Sequence, residues 1–359
     1  MSADRSRLLV AADFGCEPLN SEVAAFFERD DTDFFNLGYR QKNEAVPCLP
    51  FGEVCRRLRS GTYRLAFIAN PVRLWNPRKA FLRNTLRLAQ LAARGPAPFL
   101  LRPLLHELEK AGVVIGGIDR SDRPIVDNAR FPILAASCLF FKRELPLNPA
   151  NAFLYTSDKT EDTGNIHRIP FFAHNLLKLR PLSLGIADRR LKELQRDYGN
   201  APKEIDVIFA GSTRNRPSRQ IGLRVLERLR DEGYQVVASE EKFPRKRYYD
   251  LLSRSLICWS PEGFGFDCYR TYEAAALGAA PLLKHPPILQ YQPFEEGKNG
   301  LYYRHEAADL YDRLKAALED RERLRAMGER AREHVERRLC GSRISDDLVE
   351  TLETAGSGL

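Results

Sequence analysis

The run from Ser255 to Pro281, SLICWSPEGFGFDCYRTYEAAALGAAP, leaves this chain few ways to fold. Ser255 to Trp259 is short, apolar and β-prone, which reads as a buried strand. Glycines at 263 and 265 follow, where the backbone can turn tightly and approach a ligand. Asp267 suits a helix N-cap, Tyr269 to Leu277 is rich in helix formers, and Gly278 suits the helix end. Strand, glycine turn and helix start form an anion site, because unpaired N–H groups and the positive end of the helix dipole face the turn. Arg270 and Glu273, three residues apart, share a face near the helix start. The guanidinium complements phosphate oxygens, and the carboxylate can accept two hydrogen bonds from a ribose diol. A solvated i,i+3 salt bridge is the competing reading of the pair.

A second segment offers the same chemistry. Ile205 to Ala210 (IDVIFA) reads as a strand and runs into Gly211, Ser212 and the basic loop TRNRPSR. Open α/β sheets bind ligands at such strand ends. Backbone amides at Gly211 and Ser212, with an arginine, could neutralise a departing diphosphate without a metal. Among the loop arginines, Arg214 and Arg216 rank ahead of Arg219, being nearer the strand end in sequence. The competing reading is a loop whose arginines are merely solvated.

The spacing SPxGxGxDxxRxxEAxxxGxxP resembles the donor-binding segment of exostosin-like and related bacterial glycosyltransferases of the GT-B fold. The resemblance is strongest over residues 204–340. It implies functional roles for Arg270 and Glu273, with Gly263, Gly265 and Asp267 shaping the turn and Tyr269 beside them. Phe140 to Leu145 (FFKREL) is similar to a segment such bacterial enzymes carry late in their first half. One departure stands out: many retaining members carry two glutamates eight positions apart, and the position eight before Glu273 is Gly265, with Glu262 the nearest upstream acid. The resemblance implies a nucleotide-diphospho-sugar donor, a cell-surface glycan or glycolipid acceptor, and a last helix, Ser345 to Thr354, returning to the first half.

Strand and helix alternate twice along the chain, so the fold class expected is α/β, with two Rossmann-like domains facing a cleft. Strands are expected at Arg7–Ala12, Tyr63–Ala69 and Val113–Ile118, and helices at 20–29, 79–93 and 100–111. The stretch 158–181 lacks periodicity and suits an active-site loop or connection. In the second half, helices are expected at 220–230 and 245–253, and further strands at 234–238, 256–259 and just after Ala280. The expected domains are 1–185 for the acceptor, 186–340 for the donor, and 341–359 as the returning helix. A length of 359 residues with 43% hydrophobic content can fill two cores.

Composition narrows the class further. Seven scattered cysteines without a CxxC pair read as reduced thiols, and no signal peptide or apolar span of membrane length is evident, so a cytoplasmic protein is expected. The net charge of +8 is interleaved with acids rather than gathered in a block, which argues against nucleic acid as a partner. Arg73 to Arg87 is basic and amphipathic; it suits an anionic membrane surface, an anionic acceptor, or simple solvation. Arg245 to Tyr249 (RKRYY) reads as a helix face beside the donor site. No DxD pair flanked by apolar strands is present, Asp30, Asp31 and Asp33 reading as a polar loop after a helix, so neither metal nor cofactor is expected. GxSxG, HExxH and Walker sequences are absent.

An inverting transfer needs a base near the acceptor hydroxyl. Asp13, after the first strand, leads; Asp119, at another strand end, and His167, in the unperiodic stretch, compete with it. Two other classes stay open: a nucleotide-sugar epimerase or oxidoreductase, whose first-strand GxGxxG is missing, and a non-catalytic nucleotide-sugar or nucleic-acid binding protein.

Overall fold

The computed structural model describes residues 7–12, 26–27, 29–37, 46–69, 100–126, 130–154, 173–214 and 216–358. The chain divides into two compact units. One comprises Met1–Thr156, Gly164–Leu182 and Ser345–Leu359, the other Ser157–Thr163 and Ser183–Ile344.

The first unit is built on a six-stranded sheet of β1 (Arg7–Ala12), β2 (Thr32–Asn36), β3 (Tyr63–Ala69), β4 (Val114–Asp119), β5 (Leu139–Lys142) and β6 (Leu179–Pro181). The spatial order is β2-β1-β3-β4-β5-β6 and every pairing is parallel. Its described helices are α1 (Phe51–Arg59), α2 (Leu101–Lys110), α3 (Phe131–Ala136), α4 (Asn151–Leu154) and α5 (Ala173–Lys178). Central strands β1 and β3 are buried except at Arg7 and Arg64 near their starts, as expected of a parallel sheet covered on both faces. Gly117 in β4 has a packing reason: a Cβ there would stand 2.4 Å from the Phe140 ring of β5.

Several expectations are corrected here. The acidic tract is only partly a polar loop: Asp30 and Asp31 lie in a turn, but Asp33 lies on β2, where it accepts hydrogen bonds from Arg7 at 2.6 Å, Arg57 at 2.5 Å and Tyr63 Oη at 2.8 Å. Helix α1 and strands β2, β5 and β6 carried no assignment from the sequence. The described end of the unperiodic stretch is α5 followed by β6, and a three-residue edge strand is too short to show a period. The expected helices at 20–29 and 79–93 lie outside the described residues, apart from 26–27 and 29.

The second unit repeats the plan with β7 (Ile205–Ala210), β8 (Val236–Ser239), β9 (Ser255–Ser260), β10 (Ala280–Lys284) and β11 (Leu301–Tyr303), ordered β11-β10-β9-β7-β8 and all parallel. Its helices are α6 (Asp188–Tyr198), α7 (Pro217–Asp231), α8 (Arg245–Ser253), α9 (Tyr269–Ala276), α10 (Leu310–Leu318) and α11 (Arg321–His334), the last running into a π-helical turn at Val335–Leu339. Alternate strand residues feed opposite cores. Phe209 and Trp259, with ring centroids 4.7 Å apart, face Leu223, Leu226 and Leu310, while Ile208 and Cys258 face Tyr249, Tyr272 and Leu277. Helix α7 starts three residues earlier than expected, with Pro217 in its first turn, where the missing N–H costs nothing.

The final helix α12 (Gly341–Gly356) has most of its length in the first unit. Leu352 meets Gly116 of β4, where a Cβ would stand 3.0 Å from it, and Asp346 pairs with Arg29 at 2.5 Å.

Candidate functional site

In the second unit β8 lies on one side of β7, and β9, β10 and β11 lie on the other. The order therefore reverses between β7 and β9, and such a reversal opens a crevice outside the carboxyl ends of the two strands. Those ends are Ala210–Gly211 and Ser260–Pro261.

Two guanidiniums meet there. Arg270, in the first turn of α9, donates from Nη2 to the Ala210 carbonyl at 3.2 Å and lies 4.9 Å over the Phe209 ring. Arg219, in the first turn of α7, donates from Nη1 to the Ser212 carbonyl at 2.8 Å and from Nε to the Glu262 carbonyl at 3.0 Å. Between them sits Gly211, where a Cβ would stand 2.6 Å from Arg270 Nη2 and 3.7 Å from Arg219 Nη1. A larger residue would push Arg270 out of place.

Among the described residues neither arginine forms an ion pair, and Arg270 Nη1 is buried without a hydrogen-bond partner. Burial, then the neighbouring Arg270 charge, pushes the Arg219 guanidinium down to about 10, still a cation at neutral pH. Two partly desolvated like charges are costly to hold together, and an anion between them would relieve that cost.

Arg219, the last of the loop arginines in sequence, is the one the fold brings nearest the strand end. Helix α7 begins early enough to bring Arg219 back to the strand end, where it is 8% exposed. Arg214 is exposed, with its N–H donating to Ser212 Oγ at 3.3 Å, and Ser212 is exposed too. Arg216 lies 4.6 Å over the ring of Phe264, an exposed aromatic between the two glycines of the turn. That turn closes through Gly263 N–H donating to the Gly265 carbonyl at 2.8 Å. Neither of those glycines has a positive φ. A Cβ on Gly263 would stand 3.1 Å from Cys268 Sγ, so its small size is set by close packing.

Asp267 is not the N-cap. Cys268 holds that position without a side-chain cap, and Asp267 accepts from Leu184 N–H at 2.7 Å and from Tyr272 Oη at 2.5 Å. Tyr269 is 39% exposed beside Arg270. Glu273 does not pair with Arg270; it accepts from Tyr249 Oη of α8 at 2.5 Å and lies 3.9 Å from Arg190 Nη2 of α6. Burial pushes its carboxyl up, against the pull of Tyr249, Arg190 and Arg270. The basic cluster RKRYY is the start of α8, with Arg245 to Arg247 exposed and Tyr249 buried.

A polar recess adjoins the site, lined in part by Ser260, Glu262, Thr271, Lys284 and Gln290. Glu262 Oε1 accepts from Ser218 Oγ at 3.0 Å, and Lys284 pairs with Glu306 at 2.9 Å. The sequence reading passed over Lys284 and Glu306. Asking which charged residue closes each apolar strand would have found Lys284, the last residue of β10.

Of the three candidate bases, Asp13 and His167 lie outside the described residues, as does the basic stretch 73–87. Asp119 is corrected. It is fully buried at the end of β4, paired with Lys142 at 2.8 Å and Arg130 at 2.7 Å, and accepts from Ser121 N–H at 3.0 Å. Burial alone would raise its carboxyl; the two cations outweigh burial and hold it below the usual carboxylate range. A carboxylate so occupied is a poor proton acceptor. No group of three or more His, Cys, Asp and Glu side chains able to hold a metal occurs among the described residues.

Residues 191–348 match the glycosyl transferase-like family model. No curated protein matches the chain. Solved structures with the same fold include an OtsA apo structure at 14% identity, covering 97% of this chain and 99% of that chain with a TM-score of 0.52. The Candida albicans trehalose-6-phosphate phosphatase N-terminal domain matches at 8% identity, covering 98% and 97%, with a TM-score of 0.51. Sucrose-phosphate synthase from Thermosynechococcus elongatus matches at 12% identity, covering 98% and 100%, with a TM-score of 0.50. Residues 191–348 thus carry a glycosyl transferase-like domain, and over nearly its whole length the chain shares the fold of these structures.

Proposed function

We propose that the chain transfers a sugar from a nucleotide-diphospho-sugar donor, held by the second unit, to a glycan or glycolipid acceptor, without a metal. The observation that carries this reading is the meeting of Arg219 and Arg270 at Gly211, two cations that form no ion pair among the described residues, at a sheet's order reversal. A diphosphate leaving group gathers negative charge as the glycosidic bond breaks, and fixed guanidiniums stabilise that charge without reorganising. They supply the neutralisation that a divalent cation supplies elsewhere. Glu273 is the partner proposed for the ribose diol. The acceptor hydroxyl loses its proton to a base, for which Asp13 and His167 are the candidates. The proposed division is 1–185 for acceptor, 186–340 for donor and 341–359 as the returning helix.

The acceptor is the finer part of the reading. No described helix is long and apolar enough to cross a membrane. We place the enzyme in the cytoplasm, with the basic stretch 73–87 meeting an anionic lipid or phosphorylated glycan at a membrane surface. Charge reversal at Arg78 and Lys79 should then weaken sedimentation with anionic vesicles and leave donor affinity unchanged.

A thermal-shift screen of UDP-, GDP-, TDP- and CMP-sugars tests the donor, since a ligand that binds only the folded state raises its stability by mass action. One nucleotide class should stabilise the chain, with or without a chelator. Turnover with the same donor must follow, because stabilisation without transfer to any acceptor would make the protein a binding module.

A further inference from the structure

Glu273 is held from outside its own helix. Tyr249 Oη, on α8, donates to Glu273 Oε1 at 2.5 Å, and Arg190 of α6 reaches within 3.9 Å of the same oxygen. Arg190 also donates to Tyr249 Oη and lies 4.6 Å over the Tyr249 ring. The Tyr248 and Tyr198 rings pack on Tyr249 with centroids 5.2 and 5.9 Å away, so the phenol has little freedom. Tyr249 and Arg190 are 5% and 8% exposed. Among the described residues Glu273 Oε2 accepts no hydrogen bond.

The arrangement is one-sided. One carboxylate oxygen takes both neighbours, and the second has none. The side chain is 20% exposed, so the second oxygen is open to a ligand while the first is fixed by protein donors. One turn earlier on the same helix, Arg270 donates to the Ala210 carbonyl at the strand end. We infer that Tyr249 and Arg190 are positioning residues that lock Glu273 so that its second oxygen meets the ribose diol of the donor nucleotide. This rests on the nucleotide-sugar reading above.

Calorimetric binding of UDP and GDP, each beside its 2′,3′-dideoxy counterpart, tests it. The wild type should prefer the ribonucleotide of whichever base it accepts. Tyr249→Phe, which removes a single oxygen, should shrink that preference about tenfold, the size of one charge-assisted hydrogen bond. It should do so by weakening the ribonucleotide alone. Arg190→Lys keeps the charge and loses the stacked, forked geometry, so it should shrink the preference by a smaller factor. If Tyr249→Phe fails to fold, Arg190→Lys carries the same test.

A pH series adds a readout that a packing role would not move. The groups facing Glu273 are Tyr248 and Tyr249 of α8, Arg190 of α6, Arg270 of α9 and Cys258 of β9. Protonating Glu273 should erase the ribose preference in acid, and Tyr249→Phe should move that loss to higher pH. Equal weakening of both nucleotides, or an unchanged preference in both variants, overturns the positioning role. If binding still responds to Arg270→Ala in that case, the donor reading survives alone. If the wild type binds no nucleoside diphosphate, the donor reading fails and this role fails with it.

Discussion

The carboxyl ends of β4 and β5 in the first unit and of β7 and β9 in the second both gather charge, and they settle it in opposite ways. In the first unit Asp119 and Lys142 are fully buried and paired at 2.8 Å, with Arg130 completing the carboxylate's shell. In the second unit Arg219 and Arg270 lean on backbone carbonyls and, among the described residues, form no ion pair with a carboxylate. Backbone carbonyls satisfy N–H groups without cancelling the charge. The first arrangement is complete within the protein, and the second leaves positive charge for an anion. Strand-end position alone, shared by Asp119 and Gly211, does not separate the two clusters; the state of the charge does.

The sharpest way to break this comparison is Lys142→Met. If the first cluster is structural, removing one partner of a buried pair should cost about 3 kcal/mol of stability. Urea unfolding followed through β4 and β5 amide exchange would measure it, and a loss under 1 kcal/mol would make the pair dispensable, with the contrast gone. Arg270→Ala should behave oppositely, with donor affinity or turnover falling about 100-fold, the scale of a charge-assisted phosphate contact, while the melting temperature holds. Wild-type donor affinity in that variant would sink the site.

Gly211→Ala is a finer probe. Its new methyl would meet Arg270 Nη2 at 2.6 Å and must displace it. A drop of about tenfold in donor affinity is expected, with little change in stability, because the obstacle is the movable end of a side chain. The smallest effect concerns acid. The Asp119 carboxyl is held below the usual carboxylate range, so its contribution to stability is complete above about pH 4 and drains as pH falls through its folded value. The urea midpoint of the first unit should fall from pH 4 toward pH 2, and in Lys142→Met the fall should begin at higher pH.

Long, strongly patterned elements were legible without the fold. Strands β1, β3 and β7 and helix α8 lie where the sequence puts them, because each is a bounded run whose residue types agree with its period. Strands β2, β5 and β6 were not, since three to five residues give no period and their burial depends on neighbours far along the chain. The site divides similarly. Glycine turn, helix start and Arg270 can be read in order along a single stretch of sequence. Arg219 cannot, because only the start of α7 at Pro217 turns it back toward Gly211.

By itself the sequence determined that two strand-and-helix halves would form and that positive charge would gather after Ala210 and Ser260, since residue type and local period suffice for both. Only the tertiary structure decided what that charge meets. Asp119 and Lys142 are 23 residues apart, Gly211 and Arg270 lie on different elements, and Glu273 answers to Tyr249 rather than to Arg270 on its own helix. Whether a charge is cancelled or left open depends on which distant side chain arrives beside it, and parallel crossovers set that through packing rather than through neighbours in the chain.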